Sequence, residues 1–70
     1  MKEKFSNRLY ELRTSDKNKL SQQALAKEIG VSQKSIDFWE KGINEPKATY
    51  IIRLALFFKV STDYLLGLED

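Results

Sequence analysis

Three times in this chain a serine is followed, six to ten residues later, by a glycine: Ser21 to Gly30, Ser32 to Gly42 and Ser61 to Gly67. A serine hydroxyl accepts from an otherwise unpaired amide in the first turn of a helix, and a glycine ends a helix at little cost in the left-handed conformation. The spacing therefore predicts helices over 22–29, 33–41 and 62–66. Ahead of them Phe5, Leu9 and Leu12 recur at i, i+4 and i+7, the mark of an amphipathic helix ending near Arg13 or Thr14. Beyond the single proline, Pro46, a fourth stretch from about 48 to 58 carries Ile51, Leu54, Ala55 and Phe58 on one stripe. Five short helices with no strand pattern, repeat or linker make an all-α chain. At 70 residues it is expected to form one domain over 1–70.

Residue types that are missing narrow the function. The chain has no cysteine and no histidine, so a disulfide framework, a thiolate metal site and the commonest general base are all absent. It has no glycine-rich phosphate loop and no spaced carboxylate pair, so no enzyme, metal or cofactor is expected, and nothing points to a small-molecule ligand. The longest apolar run, 54–58, is far too short to span a bilayer, and the start of the chain lacks a signal-peptide pattern. These features point to a cytoplasmic protein without membrane association. The net charge of +2 conceals an asymmetry: residues 1–19 carry six basic and three acidic side chains. Such a balance is compatible with a polyanionic partner without demanding one.

The stretch 22–41, QQALAKEIGVSQKSIDFWEK, supplies the functional signal. Ala26 is small where a second helix must come close, Gly30 permits the positive φ of a sharp turn, and Val31 plugs the corner. Leu25, Ile29, Ile36 and Trp39 provide the apolar faces that lock two helices together. Trp39 lies three residues from Ile36, a spacing that favours the core over nucleic-acid stacking. This is the pattern of a helix-turn-helix, whose second helix protrudes enough to enter a major groove.

The segments RLYELR, LSQQALAKEIGVSQKSIDFWEKG, NEP and VSTDYLLG, in order over residues 5–68, resemble the Cro/repressor-type (XRE-like) helix-turn-helix family. The likeness implies a compact five-helix domain that binds double-stranded DNA, commonly as a dimeric transcriptional repressor on a two-fold symmetric operator. It also implies that Arg13 and Glu40 form a structural ion pair rather than touching DNA. Two features depart from the family: the segment 13–20 is about two residues longer, and Phe38 stands where a polar residue is usual.

With Ile36 and Trp39 turned inward, the outward stripe of the second motif helix is Lys34, Phe38 and Lys41, flanked by Asp37. Gln33, Lys34 and Ser35 fill its first turn, which in helix-turn-helix docking points at base edges. A glutamine suits adenine and a lysine suits guanine. The resemblance supports Gln33, Lys34 and Ser35 as base readers, against the alternative of a merely solvated face. Phe38 has two readings, a thymine methyl in the groove or a ring folded back onto Gln22, Lys34 or a partner surface. Gln22 opens the first motif helix, where free amides and the helix dipole attract phosphate. Lys41 and Asn44 are phosphate candidates on the far side, and Lys17 and Lys19 could join them only from a loop folded toward the duplex.

The fourth helix has more apolar surface than one stripe needs, since Tyr50, Ile52, Leu56 and Phe57 stand beside the core positions. Either the last helix, with Leu65 and Leu68, covers the surplus, or a second copy does. The family likeness places two-fold contacts in the loop 44–46 and at 62–64, so Pro46, Phe57, Thr62 and Tyr64 are the homodimer candidates. The competing reading is a protein-interaction module of the same fold, antitoxin-like or adaptor, in which Phe38 and the fourth helix bind protein rather than DNA.

Overall fold

A computed structural model describes residues 2–70. It contains five α-helices: α1 (Lys2–Thr14), α2 (Gln22–Ile29), α3 (Gln33–Lys41), α4 (Ala48–Phe58) and α5 (Thr62–Leu66), with no strand among the described residues. The three serine–glycine frames close as the spacing predicts. Ser21, Ser32 and Ser61 each accept a backbone amide three residues on, from Ala24, Ser35 and Tyr64. The three glycines all sit in the left-handed region. Gly30 matters most, because with φ at 86° its N–H and that of Val31 both return to the Ala26 carbonyl, at 2.8 and 3.0 Å. That closure turns the chain sharply from α2 into α3.

α4 is built differently. Its N-cap is Lys47, which makes no side-chain cap bond, and its C-cap is Lys59 in the left-handed region at φ 59°. Ordered by burial rather than by caps, α4 is held through Leu54, Ala55 and Phe58. Each helix contributes one fully buried aliphatic side chain: Leu9, Leu25, Ile36, Leu54 and Leu65. Phe5, Ala26, Ile29 and Trp39 complete the core around them, and Trp39 meets Tyr50 of α4 with ring centroids 5.9 Å apart.

Backbone groups that packing leaves over are satisfied by side chains from distant helices. Ser6 donates to the Trp39 carbonyl at 2.6 Å, and Arg53 donates to the Ile29 carbonyl at 3.1 Å, sealing the C-terminus of α2. Arg8 donates to the carbonyls of Tyr64 and Glu69 and lies 4.2 Å over the Tyr64 ring, binding the chain end to α1. The turn after α1 is tied down as well. Asn18 donates to the Leu12 carbonyl at 2.8 Å, and the backbones of Leu20 and Arg13 pair at 2.9 Å.

Two expectations need correction. Leu68 does not cover α4: it is 70% exposed, because Gly67 reverses the chain and Leu68 N–H closes onto the Asp63 carbonyl at 2.8 Å. Pro46 is buried within the chain, so it presents no surface to a second copy. It directly precedes the N-cap of α4, the position at which an apolar residue turns inward to fix the entry of the chain.

Candidate nucleic-acid interface

α2 and α3 meet through Leu25, Ala26, Ile29, Ile36 and Trp39, all buried. With that face committed inward, α3 projects Gln33, Lys34 and Lys41 into solvent, with Ser35, Asp37, Phe38 and Glu40 half-buried beside them. Gln22, Gln33, Lys34 and Asp37 line a shallow depression where the start of α2 faces α3.

At the base of this surface Arg13 and Glu40 form a two-pronged pair, Nε to Oε2 at 2.5 Å and Nη2 to Oε1 at 2.9 Å. Their side chains are only 11% and 6% exposed, and Arg13 also donates to the Leu20 carbonyl at 2.9 Å. The hydrogen bonds that Arg13 donates to Glu40 hold its guanidinium still further toward its charged form, against the opposing effect of burial. One side chain thereby joins α1, α3 and the segment leading into α2.

Gln22 stands at the centre of the polar surface. Its Nε2 donates to Asp37 Oδ1 at 3.2 Å and to Glu40 Oε1 at 3.0 Å, using both N–H groups. Its Oε1 accepts from Gln33 Nε2 at 3.4 Å. Asp37 in turn holds Lys41 Nζ at 3.0 Å, across one turn of α3. The Lys41 bond, and then the Gln22 bond, hold the Asp37 carboxyl below the usual carboxylate range.

The remaining candidate residues divide by whether they already have partners. The Ser35 hydroxyl shares a 3.1 Å hydrogen bond with the Ser32 cap, and Lys34 Nζ lies 5.8 Å from the centroid of the Phe38 ring. Asn44, Lys17 and Lys19 are exposed. Among the homodimer candidates Phe57 packs edge-on against Phe58, Thr62 is half-buried, and Tyr64 is stacked under Arg8. On α4, Ile52 and Leu56 are 51% and 73% exposed.

Sequence reasoning missed the double commitment of Gln22 and the acceptor role of Asp37. The i, i+4 spacing of Asp37 and Lys41 was a readable signal for their pair. No signal marked the approach of Gln22, 15 residues from Asp37 in sequence and 18 from Glu40.

Comparison with known proteins places this surface in a family. A helix-turn-helix family model matches residues 9–65. The chain is 35% identical over 66 residues to the HTH-type transcriptional regulator YobD of Bacillus subtilis (strain 168). That alignment covers 94% of this chain and 57% of YobD, so the chain spans little more than half the length of that curated relative. It superposes on the SOS-response transcriptional repressor LexA from Eubacterium rectale with a TM-score of 0.85 and 33% identity, over 99% of this chain and 69% of that one. With the Gly30 turn, the outward face of α3 and the family match coinciding in one segment, the chain belongs to the XRE-type helix-turn-helix family of DNA-binding transcriptional regulators.

Proposed function

We propose that this protein is a sequence-specific repressor that binds a two-fold symmetric operator as a homodimer, with α3 in the major groove. The observation that carries this reading is the pairing of Gln22 and Gln33 at the starts of α2 and α3, beside the exposed Lys34. A helix end with free amides suits phosphate, and the first turn of α3 suits base edges, so one helix can position while the other reads.

Gln33, Lys34 and Ser35 are the base readers in this scheme, with glutamine suited to adenine and lysine to guanine. Phe38 offers its ring to a thymine methyl. If it does, Phe38→Ala erases a preference for thymine over uracil at one site position; a methyl preference that persists in the variant rejects this contact. Lys41 and Asn44 take phosphates on the far side, Lys41 by exchanging Asp37 for a phosphate oxygen. Gln22 contributes chiefly the amides at its helix end, because its own N–H groups are engaged by Asp37 and Glu40.

Dimerisation is supported by the exposed Ile52 and Leu56 beside Phe57, with Thr62 and Tyr64 nearby in α5. A single helix-turn-helix reads only half a site, and a second copy supplies the other half. The role of LexA from Eubacterium rectale as a repressor is consistent with repression here, and a cytoplasmic site of action accompanies this reading.

The test is selection of bound duplexes from a randomised pool at about physiological salt, with a Gln33→Ala, Lys34→Ala double variant in parallel. A two-fold symmetric motif, with half-sites about one helical turn apart and lost in the variant, is the expected result. Binding should also weaken steeply with salt, with a slope set by the number of phosphates neutralised. A pool returned without enrichment rejects the reading in favour of a protein partner for Phe38 and α4.

A further inference from the structure

The polar surface contains a chain of amides whose direction is dictated at one end. A carboxylate can only accept hydrogen bonds, so Asp37 Oδ1 and Glu40 Oε1 compel Gln22 to turn its Nε2 toward them. Its Oε1 must then point the other way. That oxygen can only accept, so it compels Gln33 to offer Nε2 in return. Gln33 is left with one N–H and its own Oε1 for a third partner. A glutamine amide with no such anchor turns over freely between its two orientations.

We propose that Asp37, acting with Glu40 through Gln22, is a positioning group that fixes the donor–acceptor order of Gln33 and so sets adenine over guanine at the base Gln33 reads. The inference rests on the proposed role of Gln33 as a base reader and adds to it the group that orients the reader. Adenine offers an N7 acceptor near its own backbone and an N6 donor toward the centre of the groove, which matches one N–H and one oxygen held in that order. Guanine replaces the central donor with the O6 acceptor, so a Gln33 oxygen held inward meets another oxygen. The anchoring bonds are made within the protein and exist before DNA arrives, so discrimination is built into the free surface.

Asp37 is the informative position because it is half-exposed, whereas Glu40 is buried against Arg13 and its replacement would disturb the fold. Asp37→Asn keeps the shape but can donate as well as accept, which removes half of the instruction to Gln22. Asp37→Glu keeps an acceptor-only group. Each variant, with the unaltered protein and Gln33→Ala, is titrated against duplexes carrying A·T or G·C at the position whose preference Gln33→Ala abolishes.

The expected result is a partial loss of discrimination in Asp37→Asn, roughly threefold, less than a whole bidentate base contact confers, because Glu40 Oε1 still holds one N–H of Gln22. Affinity for the adenine duplex should hold or rise, since a negative charge has left a phosphate-facing surface. Asp37→Glu should restore discrimination. A merely structural role for Asp37 would instead weaken both duplexes together. Full discrimination in Asp37→Asn, with Gln33→Ala still abolishing it, overturns the orienting role and leaves Gln33 as a reader. A preference untouched by Gln33→Ala rejects Gln33 itself as the reader, and the orienting role with it.

Discussion

α3 and α4 are neighbours of nearly equal length, 9 and 11 residues, and they solve the problem of a solvent-facing side in opposite ways. α3 is capped at both ends by Ser32 and Gly42, and its polar outer face is cross-linked by Gln22, Asp37, Lys41 and Glu40. α4 begins at Lys47 without a side-chain cap bond, ends on a lysine in a left-handed conformation, and turns Ile52 and Leu56 to solvent. A helix that must present a defined hydrogen-bonding pattern needs its side chains held in place beforehand. A helix that supplies mainly apolar area needs only a well-packed inner stripe.

The contrast can be broken at its strongest point first. Leu54, fully buried on the inner stripe of α4, should cost about 4 kcal/mol when replaced by alanine, because transfer energy is lost and a cavity is left. Urea unfolding of Leu54→Ala measures this. Leu56→Ala, two residues away on the exposed face, should stay within about 0.5 kcal/mol while weakening self-association in sedimentation. Equal costs for the two would erase the distinction between the inner and outer stripes.

On the α3 side, Arg13→Ala should cost about 3 kcal/mol, since it strands the buried Glu40 carboxylate without its partner. The same variant should loosen Gln22, visible as sharper averaging of its side-chain amide signals. A smaller effect of opposite sign is expected at the end of α4. Lys59→Gly relieves a left-handed residue with a side chain and should stabilise by about 1 kcal/mol. A neutral or destabilising result would show that Lys59 contributes packing that outweighs the strain.

The smallest effect concerns Asp37. Its folded-state pKa is lowered, first by Lys41 and then by Gln22, so its contribution to stability is present above the ordinary value of 3.8. That contribution is lost as the pH falls through the lower folded-state value. Carboxyl carbon shifts followed by NMR should show Asp37 titrating below the ordinary carboxylate value, and Lys41→Ala should move it back upward. Titration of Asp37 at the ordinary value, unmoved by Lys41→Ala, would remove it from the α3 network.

The boundaries of the helices were legible because they are written in local chemistry. Ser21, Ser32 and Ser61 each bond an amide three residues away, and Gly30, Gly42 and Gly67 each close a turn on the carbonyls just before them. The inward stripe of Ile36 and Trp39 was equally legible, since helical periodicity depends only on spacing. The pairing of Arg13 with Glu40 followed from family likeness and not from spacing. Leu68 defeated the same reasoning because its direction depends on how the chain reverses at Gly67.

The sequence by itself determined where α2, α3 and α5 start and stop, which stripe each buries, and that the segment 22–41 bends into two helices. All of these are set by residues within a few positions of one another. Only the tertiary structure decided that Gln22 reaches Asp37 and Glu40 at once, that Arg8 holds the chain end, and that Pro46 is buried while Leu56 is not. Those outcomes join or separate groups from different helices, and hydrogen bonds of that kind form only where packing brings a donor within about 3 Å of an acceptor.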